Sequence, residues 1–116
     1  MPKRFIKSFN YARAGARHAL RTQRNLWIHF FVALVVLAFA VRLRVSLTEL
    51  ALLIVTSFGV IVTEMVNTAL EEIVNILSPE KRPAAELAKN VSAAAVLLAA
   101  LGSVCVGALI FLPKVM

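Results

Sequence analysis

Apolar residues arrive along this chain in three long runs, and the polar positions between them set where each helix starts and stops. Over 3–24 the pattern is mixed: Phe5, Ile6, Phe9, Ala12, Ala16 and Leu20 recur near helical spacing, with Lys and Arg between them. That predicts an amphipathic helix lying in a membrane interface, its cationic face toward lipid phosphates. A first spanning helix is predicted over 26–44, opened by Trp27, an interfacial anchor type, and closed by Arg42, Leu43 and Arg44. A second is predicted over 47–77, because Ser46 followed by Glu49 has capping-box spacing. At about 1.5 Å rise per residue it reaches about 46 Å, more than the roughly 30 Å hydrocarbon core, so its last turns leave the membrane. Ser78-Pro79 stops it. After a short polar loop, 84–112 reads as a short helix through Asn90 and then a third span, uncharged from Val91 to Leu112. Small residues there, such as Ala94, Gly102 and Ser103, permit close helix packing.

The second helix departs from its own apolar pattern. Glu64, Asn67, Thr68, Glu71 and Asn75 fall at i, i+3, i+4, i+7 and i+11, so all five project from one face. An ionisable side chain in or at the edge of a membrane segment costs several kcal/mol by most estimates and marks a functional site by default. With the helix longer than the bilayer, this stripe occupies the boundary between lipid and water. It suits a cation or a reacting hydroxyl; the alternative is that it bonds neighbouring helices together.

Composition narrows the class. The chain has 116 residues, 60% of them hydrophobic, and a mean hydropathy of +0.84, which places it among integral membrane proteins. The net charge is +7, but the basic residues flank the apolar runs instead of forming a patch, so anionic head groups and topology explain them and no nucleic-acid partner is expected. Lys3, Arg4, Lys7, Arg13, Arg17, Arg21 and Arg24 share a side with Lys81, Arg82 and Lys89, against Arg42, Arg44 and Lys114 opposite. The positive-inside rule then puts the N-terminus and the polar stripe in the cytoplasm, where ATP is available. The basic N-terminal stretch is too long for a signal peptide. The single Cys105 is expected to be a small buried hydrophobe, and His18 and His29 to be interfacial or helix-surface residues.

No Gly-rich phosphate loop, Ser-His-Asp arrangement or HExxH is present. The stripe supplies other tools. Glu64, partly desolvated, suits proton abstraction; Glu71, nearer water, suits Mg²⁺; Lys89 lies on the same side of the membrane and can meet phosphate oxygens. The set suits phosphoryl transfer from Mg·ATP to the hydroxyl of a membrane lipid, which asks for positioning, charge neutralisation and a base.

The run from Glu64 to Glu72 (EMVNTALEE) resembles the signature of the small bacterial diacylglycerol kinase family, whose Gram-positive-type members phosphorylate undecaprenol. The similarity covers almost the whole chain: Arg4 with Phe9, Asn10 and Tyr11; Arg24 and Asn25 with Ile28 and His29; Leu87 to Lys89 with Ala93 to Leu97. The ending Ile110 to Lys114 is similar to the undecaprenol-kinase branch. The resemblance implies a homotrimeric helical bundle with active sites shared between protomers at the cytoplasmic interface. It implies that Glu64 is the general base, that Asn67 orients the lipid head or the γ-phosphate, and that Glu71 binds Mg²⁺ and nucleotide. It further implies phosphate contacts for Lys89 and nucleotide contacts for Arg4, Tyr11, Glu80, Lys81, Arg82 and Asn90, with Gln23 at the place of a second metal ligand.

Four positions depart from the family pattern. Gln23 stands where the family has Glu, Asn75 and Asn90 where it has Asp, and Arg82 where it commonly has His. An amide oxygen is a weaker ligand than a carboxylate for a hard cation, so weaker metal binding than in typical members is expected. Glu72, or Glu86 near Lys89, would have to compensate. The reading is therefore an all-α integral membrane protein, an N-terminal amphipathic surface helix plus three transmembrane helices. It phosphorylates undecaprenol or diacylglycerol from ATP in the bacterial cytoplasmic membrane. Its rivals are a catalytically weakened or inactive homologue that keeps the fold, and a structural membrane subunit.

Overall fold

A computed structural model of the protein describes residues 2–116. It is all-α: α1 covers Pro2–Thr22, α2 Arg24–Arg42, α3 Leu47–Leu77 and α4 Pro83–Val115, with no strand among the described residues. The last three are each long and apolar enough to cross a membrane. Short connections make α2 and α3, then α3 and α4, antiparallel neighbours.

Local chemistry explains each break. Only Gln23, with extended backbone at φ −109 and ψ 104, separates α1 from α2. The Trp27 indole N–H donates to the carbonyl of Leu20, which has no partner within α1, and so fixes this corner. At the other end of α2 the Arg44 N–H donates to the Val41 carbonyl and the Val45 N–H to the Ala40 carbonyl, both at 3.2 Å. This is the Schellman pattern, and it requires Arg44 to sit in the left-handed region at φ 55. α3 opens on the capping box: the Glu49 N–H donates to Ser46 Oγ at 3.1 Å, and the Ser46 N–H to Glu49 Oε1 at 2.9 Å. Pro83 occupies the first turn of α4, where its missing N–H costs nothing. From there the helix runs unbroken to Val115, so the short helix and the third span are one element.

Two buried clusters hold the bundle, one toward each end. Ala19, Leu26 and Ile61, with Leu20 and Met65 against them, lock the α1–α2 corner onto α3. Ala40, Leu53 and Ile110 join α2, α3 and α4 at the far end, where Val45 also packs. Most other large apolar side chains of the spans face outward, among them Phe31, Phe58, Leu98 and Leu109. Cys105 is exposed too, which corrects its expected burial. Each span buries only a narrow stripe against its neighbours, and an apolar residue of a membrane helix need not lie inside the protein. Beyond Ala19, its only buried residue, α1 leaves the bundle as a basic arm, which accounts for extents of 52 × 43 × 23 Å.

Candidate active site

Helix rotation decides what the polar stripe of α3 can do. Glu64, Asn67 and Thr68 turn inward and are buried, Glu71 is half-buried and Asn75 is exposed, so the stripe runs from dry to wet over three turns. The Thr68 hydroxyl donates to the Glu64 carbonyl at 3.0 Å, which occupies it within its own helix.

Glu64 faces α2. Its Oε2 lies 3.6 Å from Nε2 of His29, the carboxylate 6% exposed and the imidazole 24%. Removal of a carboxylate from water without a full set of donors is costly, and the group keeps unused hydrogen-bonding capacity. Asn67 faces α4. Its Oδ1 accepts from the Ser92 hydroxyl at 2.6 Å, and its Nδ2 donates to Glu71 Oε1 at 3.3 Å. Three helices thus converge here: a carboxylate with an imidazole on one side, and a hydroxyl, an amide and a second carboxylate in line on the other.

A cavity of about 120 Å³ opens beneath His29 between α2, α3 and α4, with Ser57 and Ser103 in its wall. On the α2–α3 face an apolar groove of about 290 Å³ runs between Phe30, Leu34 and Leu37 on one side and Ile54, Phe58 and Ile61 on the other. Ile61, which lines this groove, lies one turn before Glu64 along α3.

Other expected site residues lie apart from this centre. Lys89 is half-buried one turn from Ser92, with no ion pair within 4.0 Å among the described residues. Gln23, half-buried, sits at the α1–α2 corner that Leu26 packs onto Ile61. Glu80, Lys81, Arg82 and Asn90 are exposed around the α3–α4 loop, where the Ser78 hydroxyl donates to the Glu80 carbonyl at 2.9 Å. Arg4 and Tyr11 lie out on the arm, both exposed, Tyr11 at 74%. His18 on the arm bonds Glu72 of α3 at 3.0 Å, both groups more than half exposed, and ties the arm to the wet end of the stripe.

No three His, Cys, Asp or Glu side chains converge into a metal cage among the described residues. Glu71 is the carboxylate available, with Oε1 taken by Asn67 and Oε2 left for a ligand. Mg²⁺ commonly takes one or two carboxylates and completes its shell with substrate phosphates and water. The donors present therefore fit a Mg²⁺ brought by a nucleotide, not a resident ion.

Sequence reasoning missed His29 and Ser92. The signal for His29 was present, an ionisable residue inside an apolar span. A serine in a small-residue helix carries no such signal.

Residues 10–111 match the family model described as prokaryotic diacylglycerol kinase. That stretch includes His29, Glu64, Asn67, Glu71 and Ser92, and leaves out Arg4. A diacylglycerol kinase of Synechocystis is 40% identical over 112 residues, which are 96% of this chain and 64% of that protein. This chain thus spans less than two thirds of the length of that relative. An undecaprenol kinase of Bacillus subtilis is 36% identical over 111 residues, 96% of this chain and 90% of that protein.

Proposed function

This chain belongs to the prokaryotic diacylglycerol kinase family, and we propose that it transfers the γ-phosphoryl group of ATP to the hydroxyl of a membrane lipid alcohol, undecaprenol or diacylglycerol. The observation that carries the proposal is Glu64, a carboxylate buried within an apolar span, with one imidazole at 3.6 Å. An acceptor held there suits a hydroxyl that approaches from the lipid side.

In the reaction, Glu64 accepts the proton of the lipid hydroxyl as its oxygen attacks the γ-phosphorus. The bond from that phosphorus to the bridging oxygen of ADP breaks, and ADP leaves with the electron pair. Asn67 donates an N–H to the phosphoryl oxygens, and Lys89 offers a cation to the same charges. Glu71, with Gln23 as a weaker second donor, would hold Mg²⁺, which when bound neutralises the phosphates. The exposed loop residues Glu80, Lys81 and Arg82, with Asn90, are offered to the nucleotide. Arg4 and Tyr11, exposed on the arm, serve a neighbour's site in a proposed homotrimer. The basic excess around the arm and the α3–α4 loop favours a cytoplasmic N-terminus in the bacterial cytoplasmic membrane.

A second reading, a homologue with weakened or no activity, draws on Gln23, Asn75 and Asn90, amides at places where a hard cation favours carboxylates. One assay separates the two. Detergent-solubilised protein given Mg²⁺, γ-labelled ATP and either lipid is expected to yield labelled lipid phosphate, and Glu64→Gln to abolish the label while the oligomer persists. Absence of label from both lipids with well-folded protein favours the second reading. A Glu64→Gln oligomer that falls apart would make the stripe interhelical glue.

A further inference from the structure

We infer that Ser92 is a positioning residue that fixes the Asn67 amide with its N–H groups toward Glu71 and the transferred phosphoryl group; the inference rests on the kinase reading above. The argument begins with polarity. The Glu71 carboxylate only accepts, so the atom of Asn67 that faces it must be Nδ2, as the 3.3 Å contact has it. The amide oxygen then faces α4, where the Ser92 hydroxyl donates to it at 2.6 Å. Both Asn67 and Ser92 are buried, so water is a poor substitute for either partner. The Ser92–Asn67–Glu71 line therefore has one direction of donation, set at one end by a hydroxyl and at the other by a carboxylate.

That direction has a chemical consequence. A phosphoryl group offers oxygens that accept and do not donate, so Asn67 serves it only through N–H. Ser92 and Glu71 together leave the second hydrogen of Nδ2 free. Without the hydroxyl, Oδ1 is left buried with no donor, and rotation of the amide to relieve it would set oxygen against the Glu71 carboxylate. Ser92 acts through Asn67, the side chain its hydroxyl bonds.

The test compares Ser92→Ala with Ser92→Thr in the full-length protein in lipid nanodiscs, by two readouts. With ¹⁵N-asparagine labelling, the Asn67 side-chain resonances are identified by their loss in Asn67→Ala. They are expected to show slowed hydrogen exchange in the parent and in Ser92→Thr, and fast exchange in Ser92→Ala. In the phosphate-transfer assay, Ser92→Ala is expected to lower kcat about fivefold with KM for the lipid unchanged, and Ser92→Thr to restore it. Slow exchange retained in Ser92→Ala overturns the inference, as does an unchanged kcat once exchange has become fast, or a Ser92→Thr that behaves like Ser92→Ala. A parent protein that transfers no phosphate overturns the kinase reading instead, and the exchange measurement still decides whether Ser92 orders Asn67.

Discussion

α3 carries a glutamate near each end of its apolar stretch, and the two are held in opposite ways. Glu49, in the first turn, accepts the Ser46 N–H at 2.9 Å and meets Lys114 Nζ at 3.1 Å, with 29% of its side chain open to solvent. Its charge is matched, and it closes the far end of the bundle by joining α3 to the end of α4. Glu64 is far more buried, at 6% side-chain exposure, yet the basic group beside it is one imidazole at 3.6 Å. A matched carboxylate holds helices together, whereas a buried one with spare acceptor capacity is available to a substrate. The number of partners, more than depth, separates the staple from the site.

The largest expected effect breaks or upholds that contrast directly. Glu64→Gln is expected to lower phosphate transfer by at least about 10²-fold, the range for loss of a general base, with helix content unchanged by circular dichroism. Glu49→Gln is expected to leave transfer per folded molecule near that of the parent. The reverse pattern would exchange the roles of the two residues. Next are the three amides: joint restoration of Gln23→Glu, Asn75→Asp and Asn90→Asp is expected to lower the Mg²⁺ concentration for half-maximal transfer by about tenfold or more. An unchanged Mg²⁺ titration would show that these amides are not at the ion. His29→Leu is expected to reduce transfer about tenfold through loss of the polar group beside Glu64, and His29→Gln to retain most of it. Equal rates in all three would leave the imidazole without a role. At the far end, Ser46→Ala removes half of the capping box and is expected to cost about 1 kcal/mol in denaturant unfolding, with activity intact. Smallest is Arg44→Gly, expected to add up to about 1 kcal/mol of stability by relief of the left-handed backbone; a lower unfolding midpoint would contradict that account.

Features that depend on neighbours along the chain were legible in the sequence. Ser46 and Glu49 announce the start of α3, and the i, i+3, i+7 spacing of Glu64, Asn67 and Glu71 places them on one face. What lies opposite that face was not legible, because the rotation and register of α2 and α4 arise from packing at Leu26, Ile61 and Ile110, not from any spacing. Ser92 therefore read as an ordinary helix residue until the helices were assembled, and His29 gave only the general signal of an ionisable residue inside a span. Cys105 failed for another reason: apolar character tells which residues avoid water, and in a membrane protein lipid satisfies that as well as a core does. Arg44 carried no signal for its left-handed backbone, which glycine usually adopts.

α2 is the shortest of the three spans, 19 residues with an arginine at each end, about 28 Å from Arg24 to Arg42. That matches the hydrocarbon thickness, whereas α3 and α4 overshoot it. The arginine pair therefore acts as a depth gauge for α2, and the two buried clusters hold its longer neighbours to that depth. His29 stands five residues inside that gauge, about 7.5 Å below the plane of Arg24. On the proposed reaction, a lipid whose alcohol sits at that level, beneath the phosphates of its neighbours, is expected to come into register with the carboxylate without being lifted from the leaflet.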